Sequence, residues 1–232
     1  MMEFAVILPA AGTGSRYGGA RNKLVELLAG VPVIAHSLAA FLRRQDVVQV
    51  VIAANDDSDV ALERNPQWLR LLGDQRVKRV AGGATRAHSV RAALNQVPEA
   101  VMWVAVHDAA RPLISDAVID RTLELARLHG AAVPATPVAL TIKQAVGSLP
   151  ARVVRTVPRQ ELWGMQTPQI MRADALRRAF DTCPIPLEQV TDDVQLIELA
   201  GGEVYLSEGE ERNLKITTPM DLKIAELLLL RG

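Results

Sequence analysis

Two cations stand just past a glycine-rich loop near the start of the chain. The stretch Pro9-Ala10-Ala11-Gly12-Thr13-Gly14-Ser15-Arg16 is followed by Lys23. Glycines at 12 and 14 let a backbone turn tightly and bring its N–H groups close to phosphate oxygens. Arg16 and Lys23 beside such amides suit the charge that builds on a phosphoryl group under attack. Two familiar phosphate loops are excluded. A dinucleotide fingerprint needs a third glycine where Tyr17 stands, and an acid about 20 residues further on, where the chain has His36 and Ser37. A P-loop needs Gly-Lys-Ser/Thr at its end, and Arg16 breaks that pattern. On these residues alone, an ordinary strand-to-helix turn with surface cations stays open.

Further polar clusters recur along the chain. Gly82-Gly83-Ala84-Thr85-Arg86 permits a tight turn, and Ser89 falls inside the next helix, able to hydrogen-bond a ligand. His107-Asp108-Ala109-Ala110-Arg111 puts Asp108 where a polar ligand or a metal-bound triphosphate can be met. A local Asp108–Arg111 ion pair capping the loop is the alternative. His107 reads as structural. His36, His88 and His129 show no metal-ligand spacing, so no protein-built zinc site is expected. Later come Thr156-Val157-Pro158-Arg159, Gln166-Thr167-Pro168-Gln169, Thr191-Asp192-Asp193 and Asn213-Leu214-Lys215-Ile216-Thr217.

These clusters need a scaffold, and the apolar patterning supplies one. Short runs at 4–8, 47–53, 77–80, 102–106 and 131–135, most of them almost continuously apolar, read as strands of a sheet covered on both faces. Helical patterns lie between them at 33–42, 66–72, 86–96 and 115–129, with Ser115 as a cap for the last. The alternation predicts a doubly wound, mostly parallel α/β sheet, Rossmann-like, with ligands at the carboxyl ends of the strands. The glycine loop and Asp108 both follow such strands. Residues 140–159 differ: two β-prone runs flank a turn at Gly147-Ser148. They read as a hairpin that can project to another subunit, or as an ordinary edge hairpin. Helices are expected at 172–181, 192–200 and 219–230, and nothing divides 1–232 into separate domains.

Composition narrows the partners. Lys plus Arg and Asp plus Glu total 26 each, so the chain as a whole has no electrostatic reason to seek nucleic acid or an anionic membrane. The single cysteine, Cys183, allows no internal disulfide and fits a reducing compartment. No apolar run is long enough to span a membrane, and the N-terminal run reads as a strand rather than a signal peptide. A cytoplasmic location is expected.

The motif Pro9-Ala-Ala-Gly-x-Gly-x-Arg16 with Lys23 resembles that of sugar-phosphate nucleotidyltransferases. With the later motifs, in this order and spacing from about Phe4 to Leu228, the chain resembles the 2-C-methyl-D-erythritol 4-phosphate cytidylyltransferase family. The resemblance implies CMP transfer from CTP to methylerythritol phosphate with Mg²⁺, in a homodimer. It implies that Arg16 and Lys23 stabilise the transition state on the triphosphate. It implies that Arg159 and Lys215 position the acceptor, with Arg159 and Thr141 acting across the dimer interface. Ala10, Ala11, Gly12, Gly83 and Ser89 match cytidine-binding positions. Asp108, Arg111, Thr141, Thr167 and Thr191 match positions around the acceptor and the magnesium triphosphate. The metal would be held mainly by the triphosphate, with Asp108 as the one candidate protein ligand. Arg86 matches by pattern only. The chain departs from the family's pattern at Ala84, where an acid is frequent, at Asn22-Lys23-Leu24 in place of Pro-Lys-Gln, and at Arg212, where an acid is common. Ribitol 5-phosphate cytidylyltransferases share these motifs and are the nearest rival; a non-catalytic nucleotide-binding protein is a second.

Overall fold

The computed structural model describes residues 2–12, 22–55, 62 and 64–230. Arg16 lies outside the described residues, as does Gly14. The first strand, β1 (Phe4–Pro9), is followed by the short pair β2 (Leu27–Leu28) and β3 (Val31–Pro32). Next come α1 (Val33–Leu42), β4 (Val47–Ala54), α2 (Pro66–Leu72), β5 (Val77–Ala81), α3 (Arg86–Leu94) and β6 (Trp103–Val106). The middle of the chain holds α4 (Asp116–His129), β7 (Ala131–Pro137), β8 (Ile142–Val146) and β9 (Arg152–Val157). The last part holds β10 (Trp163–Met165), β11 (Gln169–Arg172), α5 (Ala173–Asp181), α6 (Asp193–Leu199), β12 (Tyr205–Glu208) and α7 (Pro219–Leu230).

The main sheet runs β10-β7-β11-β6-β1-β4-β5, with β12 also pairing with β7. β1 pairs in parallel with β4 and β6, β4 with β5, and β7 with β12. β10 and β11 run antiparallel to their neighbours. The α/β architecture and the mostly parallel sheet are as the patterning predicts. The alternation of side chains along β1 explains the two helix layers. Phe4, Val6 and Leu8 pack with Phe41 of α1, Trp68 of α2 and Ile119 of α4. Ala5 and Ile7 point the other way, into a cluster with Val90 of α3, Leu176 of α5 and Leu196 of α6. All five of these β1 residues are fully buried, so a polar substitution on either face would break one layer.

Helix ends follow their local chemistry. The Ser115 hydroxyl accepts the Val118 N–H at the start of α4, as expected of that cap, and Asn65 does the same for α2 through Gln67 and Trp68. Patterning did not foresee β10, β11 or β12. β11 has four residues, no alternation, and lies between β6 and β7, pairing antiparallel with both. The helix expected from Arg172 starts one residue later because Arg172 closes β11. β8 and β9 form a two-stranded sheet of their own, paired only with each other, and expose Val146, Leu149, Val153 and Val154.

Candidate active site

The loops at the carboxyl ends of β1, β5 and β6 surround a cavity of about 510 Å³. Ala10, Ala11 and Gly12 follow β1, Gly83 to Arg86 follow β5, and Asp108 to Ala110 follow β6. Lys23, Asn55, Lys215 and Thr217 complete the wall. Asn55 Nδ2 donates to the Ala11 carbonyl at 3.3 Å, tying the end of β4 to the first loop. The glycines after β5 are required by space. A Cβ on Gly82 would lie 2.1 Å from the Ala11 Cβ, and one on Gly83 would lie 2.3 Å from the Cβ of His88. Their lack of side chains lets two loops touch.

Ser89 holds this turn. Its hydroxyl donates to the Thr85 carbonyl at 2.9 Å and accepts the Gly83 N–H at 3.0 Å. Its proton is therefore committed to the turn. Ser89 lines the cavity and fixes the backbone of Gly83. On the far wall, Asp221 accepts from both the N–H and the hydroxyl of Thr217, at 2.8 and 2.7 Å, and so holds Thr217 at the cavity.

Charge is concentrated at Asp108. Its Oδ2 lies 2.8 Å from Lys215 Nζ and 3.5 Å from Arg111 Nε, and its Oδ1 lies 3.3 Å from Arg86 Nε. Burial pushes this carboxyl up, but Arg86, Lys215 and Arg111 outweigh it and hold Asp108 well below the usual carboxylate range. The Asp108–Arg111 pair read from sequence exists, within a larger network. Arg86 also reaches Asp193 at 2.7 Å through Nη1. Burial alone would lower the Arg86 pKa, but the two carboxylates raise it, so it stays charged. Arg111 is drawn down by burial and is used inward: it donates to the carbonyls of Asn213 at 2.7 Å and Met165 at 3.3 Å.

His107, directly before Asp108, is structural as expected. It is fully buried, and burial pushes its pKa down to about 4. The Arg111 carbonyl can only accept, so His107 Nε2 carries the proton and donates to it at 3.1 Å. Nδ1 then accepts from the Thr167 hydroxyl at 3.0 Å, and that hydroxyl in turn accepts the Asp108 N–H at 3.0 Å. Thr167 thus sets the loop that presents Asp108.

The fold gathers Ala10, Ala11, Gly12, Lys23, Gly83, Ser89, Asp108 and Lys215 around one cavity. Arg111 and Thr167 sit behind that wall rather than in it. Thr141, Arg159 and Thr191 are exposed and stand outside it within this chain. Arg159 donates to the Ala139 carbonyl at the base of the hairpin, and Thr191 donates to Gln195 at 3.1 Å. Sequence reasoning missed Asn55, Thr85 and Thr217 as wall residues, and left Arg86 and Asp193 without a role. The Gly-Gly-Ala-Thr-Arg run held the signal for Thr85 and Arg86. Nothing local marked Asn55, which follows a buried strand. Among the described residues no group of three or more His, Cys, Asp or Glu could hold a metal. Asp108, already facing three cations, is poorly suited to bind a dication directly. No helix among the described residues is long and apolar enough to cross a membrane.

A glycine-walled cavity at the carboxyl ends of parallel strands, lined by lysines and an arginine, is that of an α/β protein built to hold a phosphate-bearing ligand. The sequence pattern of the 2-C-methyl-D-erythritol 4-phosphate cytidylyltransferase family matches residues 4–231. The chain is 43% identical over 227 residues to the 2-C-methyl-D-erythritol 4-phosphate cytidylyltransferase of Symbiobacterium thermophilum, covering 97% of this chain and 92% of that one. It is 37% identical over 225 residues to the chloroplastic enzyme of Oryza sativa subsp. japonica, covering 97% and 74%. Among solved structures it is similar to the Francisella tularensis 2-C-methyl-D-erythritol 4-phosphate cytidylyltransferase, with a TM-score of 0.82, 30% identity and 97% and 99% of the two chains covered. The Thermus thermophilus enzyme gives 0.78 at 34% identity, with 98% of each chain covered. The chain belongs to the 2-C-methyl-D-erythritol 4-phosphate cytidylyltransferase family, whose reaction transfers CMP from CTP to that acceptor in the non-mevalonate route to isoprenoid precursors.

Proposed function

We propose that the 510 Å³ cavity is where CTP and methylerythritol phosphate meet, and that its residues divide between the two anions. The observation that carries this is the placement of phosphate-approachable backbone at Ala10–Gly12 and Gly83 in the same cavity as Lys23 and Lys215. Ala10, Ala11, Gly12 and Gly83 hold the nucleotide, with Ser89 shaping the Gly83 turn. Lys23, with Arg16, stabilises the charge on the triphosphate. Lys215 and Asp108 address the acceptor, Lys215 through its phosphate and Asp108 through hydroxyls. Arg111 and Thr167 support that end from behind.

The acceptor phosphate oxygen attacks the α-phosphorus in line, and pyrophosphate leaves. No general base is needed, because a phosphomonoester is already largely dianionic at neutral pH. The barrier is the approach of two anions and the charge growing on the leaving oxygen. Fixed cations lower it by positioning both reactants and by offsetting that charge. A Mg²⁺ ion bound with the triphosphate would add to this neutralisation of charge on the nucleotide. On the protein side, the triphosphate is held by the 10–12 backbone and Lys23.

We further propose a homodimer in which residues 140–159 form an arm, so that Thr141 and Arg159 complete the partner's cavity. The exposed apolar side chains of the β8–β9 hairpin and the exposure of Arg159 support this reading. The single cysteine fits a reducing compartment and so a cytoplasmic location. The deciding experiment is pyrophosphate release from CTP and Mg²⁺ with methylerythritol phosphate or ribitol 5-phosphate as acceptor. Release with the first and not the second is expected. Preference for ribitol 5-phosphate would overturn the acceptor assignment, and release with neither would favour a non-catalytic role.

A further inference from the structure

The geometry points to Asp193 as a positioning residue for this transfer: it stands outside the cavity and, through Arg86, sets where Asp108 and Lys215 stand within it. The inference rests on the proposed assignment of Asp108 and Lys215 to the acceptor. Asp193 is the first residue of α6 and only 1% exposed. Its carboxylate is not used to cap that helix. Asp192 does so, accepting the Gln195 N–H at 3.0 Å. The N–H groups of Asp193 and Val194 are taken by Gln169 Oε1, at 2.8 and 3.1 Å. Gln169 is buried in β11, which pairs with β6, the strand that ends just before His107 and Asp108. The start of α6 is thereby pinned beside the strand that delivers the site, and the Asp193 side chain is left to face Arg86.

Arg86 needs such a partner. It is the first residue of α3, capped by Thr85, and a cation at a helix N-terminus opposes the helix dipole. Two carboxylates hold it there, each on a different nitrogen: Asp193 on Nη1 at 2.7 Å and Asp108 on Nε at 3.3 Å. The planar guanidinium fixes the angle between the two. Asp108 is divided in turn, with Oδ1 toward Arg86 and Oδ2 toward Lys215 at 2.8 Å. A continuous path therefore links Asp193, Arg86, Asp108 and Lys215. If the Asp193 charge is removed, Arg86 has one carboxylate left and moves onto Asp108, where it competes with Lys215 for that group. A well-packed apolar residue in place of a buried ion pair is often as stable. Fold stability alone thus does not explain a charge at position 193.

Asp193→Asn keeps size and hydrogen-bonding capacity while removing the charge. Steady-state assays normalised to folded protein should show kcat/KM for methylerythritol phosphate lowered at least about tenfold, with KM for CTP changed less than about threefold. Arg86→Gln should give a similar loss. The double variant should be no worse than Arg86→Gln within about twofold, because Asp193 acts through Arg86. Asp193→Glu should recover part of the activity. Turnover of Asp193→Asn within about twofold of the unaltered enzyme, or losses that multiply in the double variant, would overturn the proposal. If Asp193→Asn does not fold, Arg86→Lys decides: one ammonium cannot serve both carboxylates in the guanidinium's geometry, so it should lose at least about tenfold, and near-normal activity would refute the path. Lys215→Ala separates the two levels of argument. Full activity in that variant would reject the underlying acceptor assignment, whereas a defective Lys215→Ala beside an active Asp193→Asn rejects only the role of Asp193.

Discussion

Replacing His107 by Gln should flatten the acid limb of the stability curve. The imidazole is fully buried, with a pKa pushed from 6.5 to about 4, and Nε2 donates to the Arg111 carbonyl. An unfolded histidine takes up a proton below about 6.5, whereas the folded one does so only near 4. Between those values the unfolded chain binds more protons, so stability falls as pH falls. The gap corresponds to about 3 kcal/mol at about 1.36 kcal/mol per pH unit, and most of it has gone by pH 4. Well above pH 6.5 the contribution is fully present. Glutamine hydrogen-bonds without titrating, so the variant lacks this loss, although its stability at pH 7 is lower. Asp108, held low, contributes a loss only as pH falls through the unfolded carboxylate range and below, and Asp193, pushed up by burial, acts in the opposite sense. Both remain in the variant, so the difference between the two proteins isolates His107. Urea unfolding at about pH 7, 6, 5 and 4, at one fixed protein concentration, measures it. Parallel curves for the two proteins, differing by less than about 1 kcal/mol in their pH dependence, would refute a neutral, buried His107.

Lys23→Ala and Arg16→Ala should each lower kcat at least about tenfold, a loss of about 1.4 kcal/mol or more of barrier stabilisation, and near-normal turnover in a steady-state assay would remove them from the reaction. Gly83→Ala introduces a Cβ that would lie 2.3 Å from the Cβ of His88 and 2.9 Å from its carbonyl carbon. The backbone must shift at a cost of about 1–3 kcal/mol; a lower melting temperature and a raised KM for CTP are expected, and no change in either would show the turn to be looser than described. Mixing Arg159→Ala with Lys23→Ala chains should restore some activity if Arg159 serves the partner's cavity, since one of the two mixed sites is then intact. Proven subunit exchange without recovery would place Arg159 in its own chain's site or in none.

The sheet was legible because its central strands are apolar at nearly every position. β1 buries both faces, so a run such as Phe4–Leu8 has little use outside a sheet covered by helices on each side. Helices α1, α2 and α4 were legible to within a residue because periodicity and caps are local. β11 was not, since four residues carry no period and its pairing partners on β6 and β7 lie far before it in the chain. The same distinction runs through the site. Glycines after β1 and β5 announced close backbone approach, and Gly82 and Gly83 do have neighbours that a side chain would strike. Ser89 and Thr167 were legible as polar residues near the site, but the loop contacts of their hydroxyls were not, since their partners are set by the folded turns.

By itself, the sequence determined the α/β class, the glycine turns, the cations Lys23 and Lys215, and membership of a cytidylyltransferase family. These depend on residue type and short spacing, which are written locally. Only the tertiary structure decided which charges meet. Asp108, Asp193 and Lys215 stand far apart along the chain, yet Asp108 and Asp193 share Arg86, and Lys215 lies 2.8 Å from Asp108. Electrostatic energy depends on separation in space and on burial, and neither can be read from position along a chain.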